Sequence, residues 1–163
     1  MRFVLYPLLF GVIIILQSTV LENVAIAGIK PDLVMLIVIL NSFFLGTRAG
    51  AFLGFTGGIV EDLFLGSYIG LNALAKMTAG YLAGAAGGRL YRENIPIATI
   101  VIFFTSLAGL MVNYLLLLYL DITIAPLHAL LRVALPTAAY TALLAPFVFW
   151  RIFRYNQNRS REL

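Results

Sequence analysis

The sequence has no cysteine and few charged residues. The absence of cysteine from all 163 residues excludes disulfides and thiolate metal sites. Charged residues make up 11% of the chain and hydrophobic residues 62%, whereas a soluble domain is about half apolar and about a quarter charged. Because too few polar side chains remain to cover a soluble surface, we interpret the chain as an integral membrane protein.

Apolar runs separated by short loops predict an all-α protein, a single bundle of about six transmembrane helices. The predicted segments are residues 3–21, 33–45, 49–65, 71–87, 95–120 and 130–150. The second and third are short, so a re-entrant hairpin is an alternative for residues 31–65, although merging them would place Arg48 at mid-membrane at high cost. Pro136 and Pro146 are expected to kink the last helix.

We expect a single transmembrane domain over residues 1–150 and a basic tail over residues 151–163. The first apolar segment is predicted to stay as a span, because the sequence that resembles a cleavage site, at residues 25–27, lies well beyond the apolar run. Six spans place both termini on one side. That side would carry most of the arginines of the loops and tail, which predicts cytoplasmic termini. The net charge of +4 therefore reflects topology and does not indicate nucleic-acid binding.

Glycines recur at every fourth position in two stretches of the chain. Small residues four apart let membrane helices approach closely, so we interpret both stretches as faces for helix packing or partner binding. A spacing of four overshoots the helical repeat by about 40° per step, so not every glycine can face the same neighbour. The two ladders consist of Gly46, Gly50, Gly54 and Gly58, and of Gly80, Gly84 and Gly88.

Polar residues within the predicted spans form one candidate site. Lys76 falls inside the fourth span and needs an acidic partner there, for which Asp62, at the end of the third span, is the predicted choice. Asn72 lies between them in the sequence and completes the predicted cluster. Two readings stay open: a structural ion pair between the helices, or a site for a proton, ion or substrate.

The sequence gives no support for an enzyme or a cofactor. His128 is the only histidine, and both a metal site and a catalytic triad need further partners. The glycines lack the lysine and hydroxyl neighbours of a phosphate-binding loop. Arg132 is expected to reach the membrane surface, and Asn113 is expected to bond between helices.

The motifs in residues 30–88 resemble the MreD family of rod shape-determining proteins. The resemblance rests on Pro31 and Asp32 opening an apolar run, on the first glycine ladder leading to Asp62, and on the sequence Gly70-Leu71-Asn72-Ala73-Leu74, which precedes the second ladder. It implies a multi-pass protein of the bacterial plasma membrane with no catalytic residue and no cofactor. The implied role is a scaffold in the machinery that elongates the cell wall. Lys76 has no place in the family pattern.

The resemblance also implies partners. These are MreC, through its single transmembrane span, and further MreB, RodA and an elongation-specific penicillin-binding protein. We expect the span of MreC to lie against an exposed face of small residues.

Two other classes of function stay open. A substrate-capture component of an energy-coupling vitamin transporter would use Asp62, Asn72 and Lys76 to line a ligand pocket, although the outer loops here are short and plain. A small ion- or proton-coupled transporter would use Asp62 and Lys76, but the two halves of the chain show no inverted repeat.

Overall fold

The computed structural model describes residues 10–15, 17, 19, 30–66, 68–90, 94–122 and 125–150, and all regular structure within them is helical. The predicted tail at residues 151–163 lies outside the described part. We number the helices in chain order. They are α1 at residues 10–15, α2 at Leu33–Leu45, α3 at Thr47–Leu65, α4 at Leu71–Gly87, α5 at Ile95–Tyr119, α6 at Pro126–His128, a π-helical stretch at Ala129–Ala134, α7 at Leu135–Leu143, and a last helical stretch at residues 145–150.

The helices fall where the sequence predicts them, which confirms the all-α fold class. Among the described helices, α5 is long and apolar enough to cross a membrane, whereas α2 is apolar but shorter. The number of crossings and the side on which the termini lie stay predictions. Gly46 separates α2 from α3 and has φ 91°, a backbone conformation that suits glycine. The two segments that could have formed one interrupted element are thus two distinct helices.

The short helix α2 is the centre of the bundle. Five of its side chains have no solvent-accessible surface: Val34, Leu36, Val38, Ile39 and Leu40. A helix that is apolar on all sides is stable when it is surrounded by others. Here α3, α4, α5 and α7 pack around it, and Phe10 and Ile14 of α1 form a second apolar cluster with Val34 and Val38 of α2. Its 13 residues correspond to about 20 Å of helix.

The two glycine ladders pack against each other along α3 and α4, which run in opposite directions. A Cβ atom built on Gly54 would lie 2.8 Å from the Cα atom of Met77. Gly50 lies against the backbone of Gly80, and Gly58 lies against the backbone of Ala73. A side chain at these glycines would therefore meet backbone, which cannot rotate away. The small residues let the helix axes approach closely, as in other membrane proteins.

The glycines at the ends of the ladders do not all contact the backbone of the neighbouring helix. Gly84 lies against the backbone of Gly46, at the break between α2 and α3, but a Cβ atom on Gly46 itself would meet no atom within 4 Å. Gly88 is exposed and faces only its own helix. Gly57, which is outside the ladder spacing, contacts the ring of Phe10 in α1 instead.

The C-terminal part departs from α-helical geometry just before each of its internal prolines. The π-helical stretch Ala129–Ala134 ends two residues before Pro136, and a turn at Leu144 precedes Pro146. Proline lacks the N–H group that would bond one turn back and clashes with the carbonyl there. The predicted irregularities therefore occur at the two prolines.

Large apolar side chains cover the outside of the bundle. Exposed examples are Phe52 and Phe55 on α3, Phe104 and Leu115 on α5, and Phe147 in the last helical stretch. In water such a surface would promote aggregation. It is suited to a lipid environment, in agreement with the membrane class that the composition predicts.

Candidate functional site

One end of the bundle contains a buried layer of polar side chains. At this end α2 and α4 begin and α3 finishes, because consecutive helices run in opposite directions. The layer contains Asp32 before α2, Glu61 and Asp62 in the last turn of α3, and Lys76 in the second turn of α4. Glu61, Asp62 and Lys76 are 6%, 0% and 1% exposed. Fully buried charged residues are rare unless they are paired.

Lys76 is held between two carboxylates from two other helical elements. Its Nζ atom lies 2.7 Å from Oδ2 of Asp32, to which it donates a hydrogen bond, and 2.6 Å from Oε2 of Glu61. The contact with Glu61 is a short ion pair, and Oε2 of Glu61 has no further hydrogen-bond partner within the described part of the chain. We call Asp32, Glu61 and Lys76 the charged triad. It ties α2, α3 and α4 together at one point.

Asp32 also begins α2. Its Oδ1 atom accepts a hydrogen bond of 2.7 Å from the N–H of Met35, which is the contact of an N-cap residue. Its own N–H donates to Oγ1 of Thr141 at 3.1 Å, and the next N–H, of Leu33, donates to Oε1 of Gln17 at 3.1 Å. The start of the central helix is thereby fixed to Gln17, which follows α1, and to α7.

Asp62 caps the N-terminus of α4 from the preceding helix. Its carboxylate accepts hydrogen bonds from the N–H groups of Gly70, Asn72 and Ala73 at 2.8, 3.2 and 3.3 Å, and from Nδ2 of Asn72 at 2.9 Å. Gly70, the residue at the N-cap position, has no side chain that could do this. Free N–H groups and the helix dipole both favour a carboxylate at this place. Asp62 is therefore satisfied by α4 itself.

Asn72 extends the polar layer to α5. Its Oδ1 atom is 3.4 Å from Nδ2 of Asn113, which donates a long hydrogen bond. The predicted bond of Asn113 between helices is thus present. With the contacts of Gln17 and Thr141, the layer links α2, α3, α4, α5 and α7 to one another and to Gln17, which follows α1.

The structure brings the predicted residues Asp62, Asn72 and Lys76 to the same end of the bundle but corrects their pairing. Lys76 forms its ion pairs with Asp32 and Glu61 rather than with Asp62. The prediction of a direct pair between Asp62 and Lys76 was therefore wrong. The physical reason is that neighbouring residues on a helix point about 100° apart, so Glu61 faces Lys76 while Asp62 faces the start of α4.

The sequence prediction missed Glu61 as a site residue. A signal was present, because Glu61 follows Gly54 and Gly58 at spacings of seven and three, and these spacings place residues on one helix face. The face that contacts α4 therefore ends in Glu61 as well as in Asp62. Asp32, which was singled out only through the motif Pro31-Asp32, turns out to be the other partner of Lys76.

The remaining candidates lie apart from the triad. Leu71 is buried at the start of α4, directly after Gly70. His128 and Arg132 are exposed near the start of the C-terminal segment. No group of three or more metal-binding side chains occurs among the residues that the structure describes. Within the triad, the ammonium group of Lys76 already occupies the position between the two carboxylates where a bound cation would lie.

Comparison with known proteins adds one finding. The family model described as rod shape-determining protein MreD matches residues 1–158 of the 163-residue chain. The match extends well beyond residues 30–88, where the motifs are concentrated. Neither the curated proteins nor the solved structures give a match to the chain.

Proposed function

We propose that this chain, which belongs to the MreD family of rod shape-determining proteins, is a scaffold without catalytic activity in the machinery that elongates the bacterial cell wall. Membership of the family supports a role in determining cell shape and a location in a bacterial membrane. The protein would cross the plasma membrane several times and bind MreC, and through the same assembly MreB, RodA and an elongation-specific penicillin-binding protein.

The single observation that carries the proposal is the family match over residues 1–158. The polar layer is consistent with it, because its charged groups are directed at one another. Asp62 accepts four donors of the α4 N-terminus, and Lys76 contacts two carboxylates. Such mutual pairing fixes the helices relative to each other. A rigid bundle is what a scaffold needs, since partner binding then requires little ordering.

The packing also limits where the span of MreC can bind. Gly50, Gly54 and Gly58 are buried against α4, and Gly80 and Gly84 are buried against α3 and its start. These glycines are not available to a partner unless the bundle opens. We therefore propose that MreC contacts the outer apolar surface of the bundle rather than a glycine ladder, which revises the contact face expected from the sequence.

The test is a pull-down of the tagged full-length protein from its native membrane in a mild detergent, with mass spectrometry of the proteins that co-purify. We expect MreC and wall-synthesis proteins to be recovered. Recovery of ATPases together with a coupling membrane subunit would instead identify a transporter component and overturn the scaffold proposal. Two variants serve as test and control. Gly54→Ala, which separates α3 from α4, should reduce the recovery of MreC and the wall-synthesis proteins. Gly88→Ala should leave this recovery unchanged.

A cell-shape assay tests the coarser role separately. Depletion of the protein should make rod-shaped cells round, and expression of the wild-type chain should restore the rods. Normal rods after complete depletion would contradict a role in shape determination, whatever the pull-down recovers.

A further inference from the structure

The charged triad contains one more carboxylate than it has ammonium groups. Lys76 is the only cation in contact with Asp32 and Glu61 among the described residues, at 2.7 and 2.6 Å. Both Glu61 and Lys76 are more than nine-tenths buried. If both carboxylates were ionised, the triad would carry a net negative charge in a medium where such a charge is strongly disfavoured.

The two carboxylates are not equally well satisfied. Asp32 accepts hydrogen bonds from the N–H of Met35 and from Nζ of Lys76. Oε2 of Glu61 is buried and accepts no hydrogen bond within the part of the chain that the structure describes. An ionised carboxylate needs several donors, whereas a protonated one carries its own donor and no charge. The one short polar contact of Oε2 is with the Lys76 ammonium at 2.6 Å, so Glu61 has fewer partners than Asp32 and is the member of the pair with room for a proton.

Among the residues that the structure describes, no second cation forms an ion pair with Asp32 or Glu61. On α3 the neighbouring Asp62 adds another negative charge close to Glu61, although α4 satisfies it with backbone N–H groups. The other described side chains that bond to the start of α2 are Gln17 and Thr141, which are uncharged. The charged groups that act on Glu61 are thus Lys76, Asp32 and Asp62.

We propose that the charged triad is a proton-binding site in which Asp32 and Glu61 share one proton beside the Lys76 ammonium. Two close carboxyl groups in a poorly solvated site commonly hold one proton between them, and the proton then belongs to the pair. With it bound, the triad is neutral. The proton is taken up from solvent and released to it, so no other reactant is involved. Its release leaves the excess negative charge at the junction of α2, α3 and α4 and weakens that junction.

The direct test is infrared spectroscopy of the purified full chain at neutral pH, in a detergent without ester or acid groups. A protonated carboxyl group gives a C=O band distinct from the carboxylate bands. We expect this band in the wild type and its loss in both Glu61→Gln and Asp32→Asn, because the carboxylate that remains in either variant is balanced by Lys76. Asparagine caps helices as well as aspartate does, so Asp32→Asn should keep the start of α2.

Asp121→Asn is the matched control, because Asp121 is exposed and its backbone has φ 59°, which asparagine tolerates. The band should persist in this variant. Absence of the band from the wild type, or its persistence in Glu61→Gln, would overturn the proposal.

Thermal stability as a function of pH provides a second readout. If the folded protein holds a proton that the unfolded chain releases above about pH 4.3, stability must fall as pH rises from there. For one proton the folding equilibrium constant falls by up to about tenfold per pH unit. We expect the unfolding temperature of Glu61→Gln to fall less between pH 5 and about pH 8 than that of Asp121→Asn. Equal slopes in the two variants would refute the shared proton.

Discussion

Gly54→Ala tests whether the close approach of α3 and α4 stabilises the bundle. The added Cβ atom would lie 2.8 Å from Cα of Met77 and 2.5 Å from the carbonyl carbon of Lys76, whereas ordinary contact begins at 3.4 Å. Relief requires a shift of at least 0.9 Å at the carbonyl carbon (3.4 − 2.5 Å), and a larger one at the carbonyl oxygen of Lys76, which lies nearer still. Because the obstructing atoms belong to the backbone, the whole of α4 must move rather than one side chain.

The cost of this shift follows from packing. A gap of 0.5–1 Å removes roughly a quarter to a half of the dispersion attraction between the atoms on either side. Overpacking of a well-filled core typically costs about 1–3 kcal/mol. The shift also pulls Lys76 away from Glu61, so we expect a loss at the upper end, about 3 kcal/mol, which is roughly a hundredfold in the folding equilibrium constant.

The assay is reversible unfolding in mixed detergent micelles, followed by the loss of helical circular dichroism. Gly88→Ala is the control, since Gly88 is exposed and a Cβ atom there would come no closer than 3.6 Å to any atom of the bundle. Gly54 lies inside α3, where alanine raises helix propensity, whereas Gly88 is the C-cap residue of α4. Propensity alone would therefore stabilise Gly54→Ala, and a loss of stability in that variant reports the packing. We expect Gly88→Ala to lie within about 0.5 kcal/mol of the wild type. Equal stability of the two variants would refute the packing argument.

Three further predictions concern the polar layer and use the same unfolding assay. Lys76→Met leaves the buried Glu61 and the partly buried Asp32 without a cation and should cost about 3–5 kcal/mol, with partial recovery on adding Glu61→Gln. No recovery would contradict the ion pairing within the triad. In double-mutant cycles, the coupling energy with Lys76 should be larger for Glu61 than for Asp62. A larger coupling energy for Asp62 would instead support the direct pair of Asp62 and Lys76 that the sequence predicted. Asp32→Ala should be less stable than Asp32→Asn by about 1 kcal/mol because only asparagine retains the cap, and equal stability would argue against that role.

Helix positions could be predicted because their signals are local. Apolar runs and short polar connections predict where helices begin and end, and the structure places its helices within a few residues of those positions. The irregularities near Pro136 and Pro146 were predictable for the same reason, since proline acts on its own backbone and on the preceding turn. Even the contact between the two ladders follows from local spacing, because glycines four apart favour close packing with a neighbouring helix.

The partner of Lys76 could not be predicted from local signals. The sequence shows that a buried lysine needs an acid, and it offers three candidates near one end of the bundle: Asp32, Glu61 and Asp62. The choice depends on the rotation of α3 about its axis and on the need of α4 for a cap at Gly70. Both are settled only when the helices pack together.

Sequence alone determined that this protein is an all-α membrane protein with paired glycine ladders. Its composition decides whether its surface suits water or lipid, and the spacing of its residues decides which faces each single helix has. The tertiary structure decided that α2 lies at the centre, enclosed by its neighbours. It also decided that Lys76 joins Asp32 to Glu61 while Asp62 caps α4. These features depend on which faces of separate helices meet, and that is fixed by the joint packing of all the helices, which no local stretch of sequence specifies.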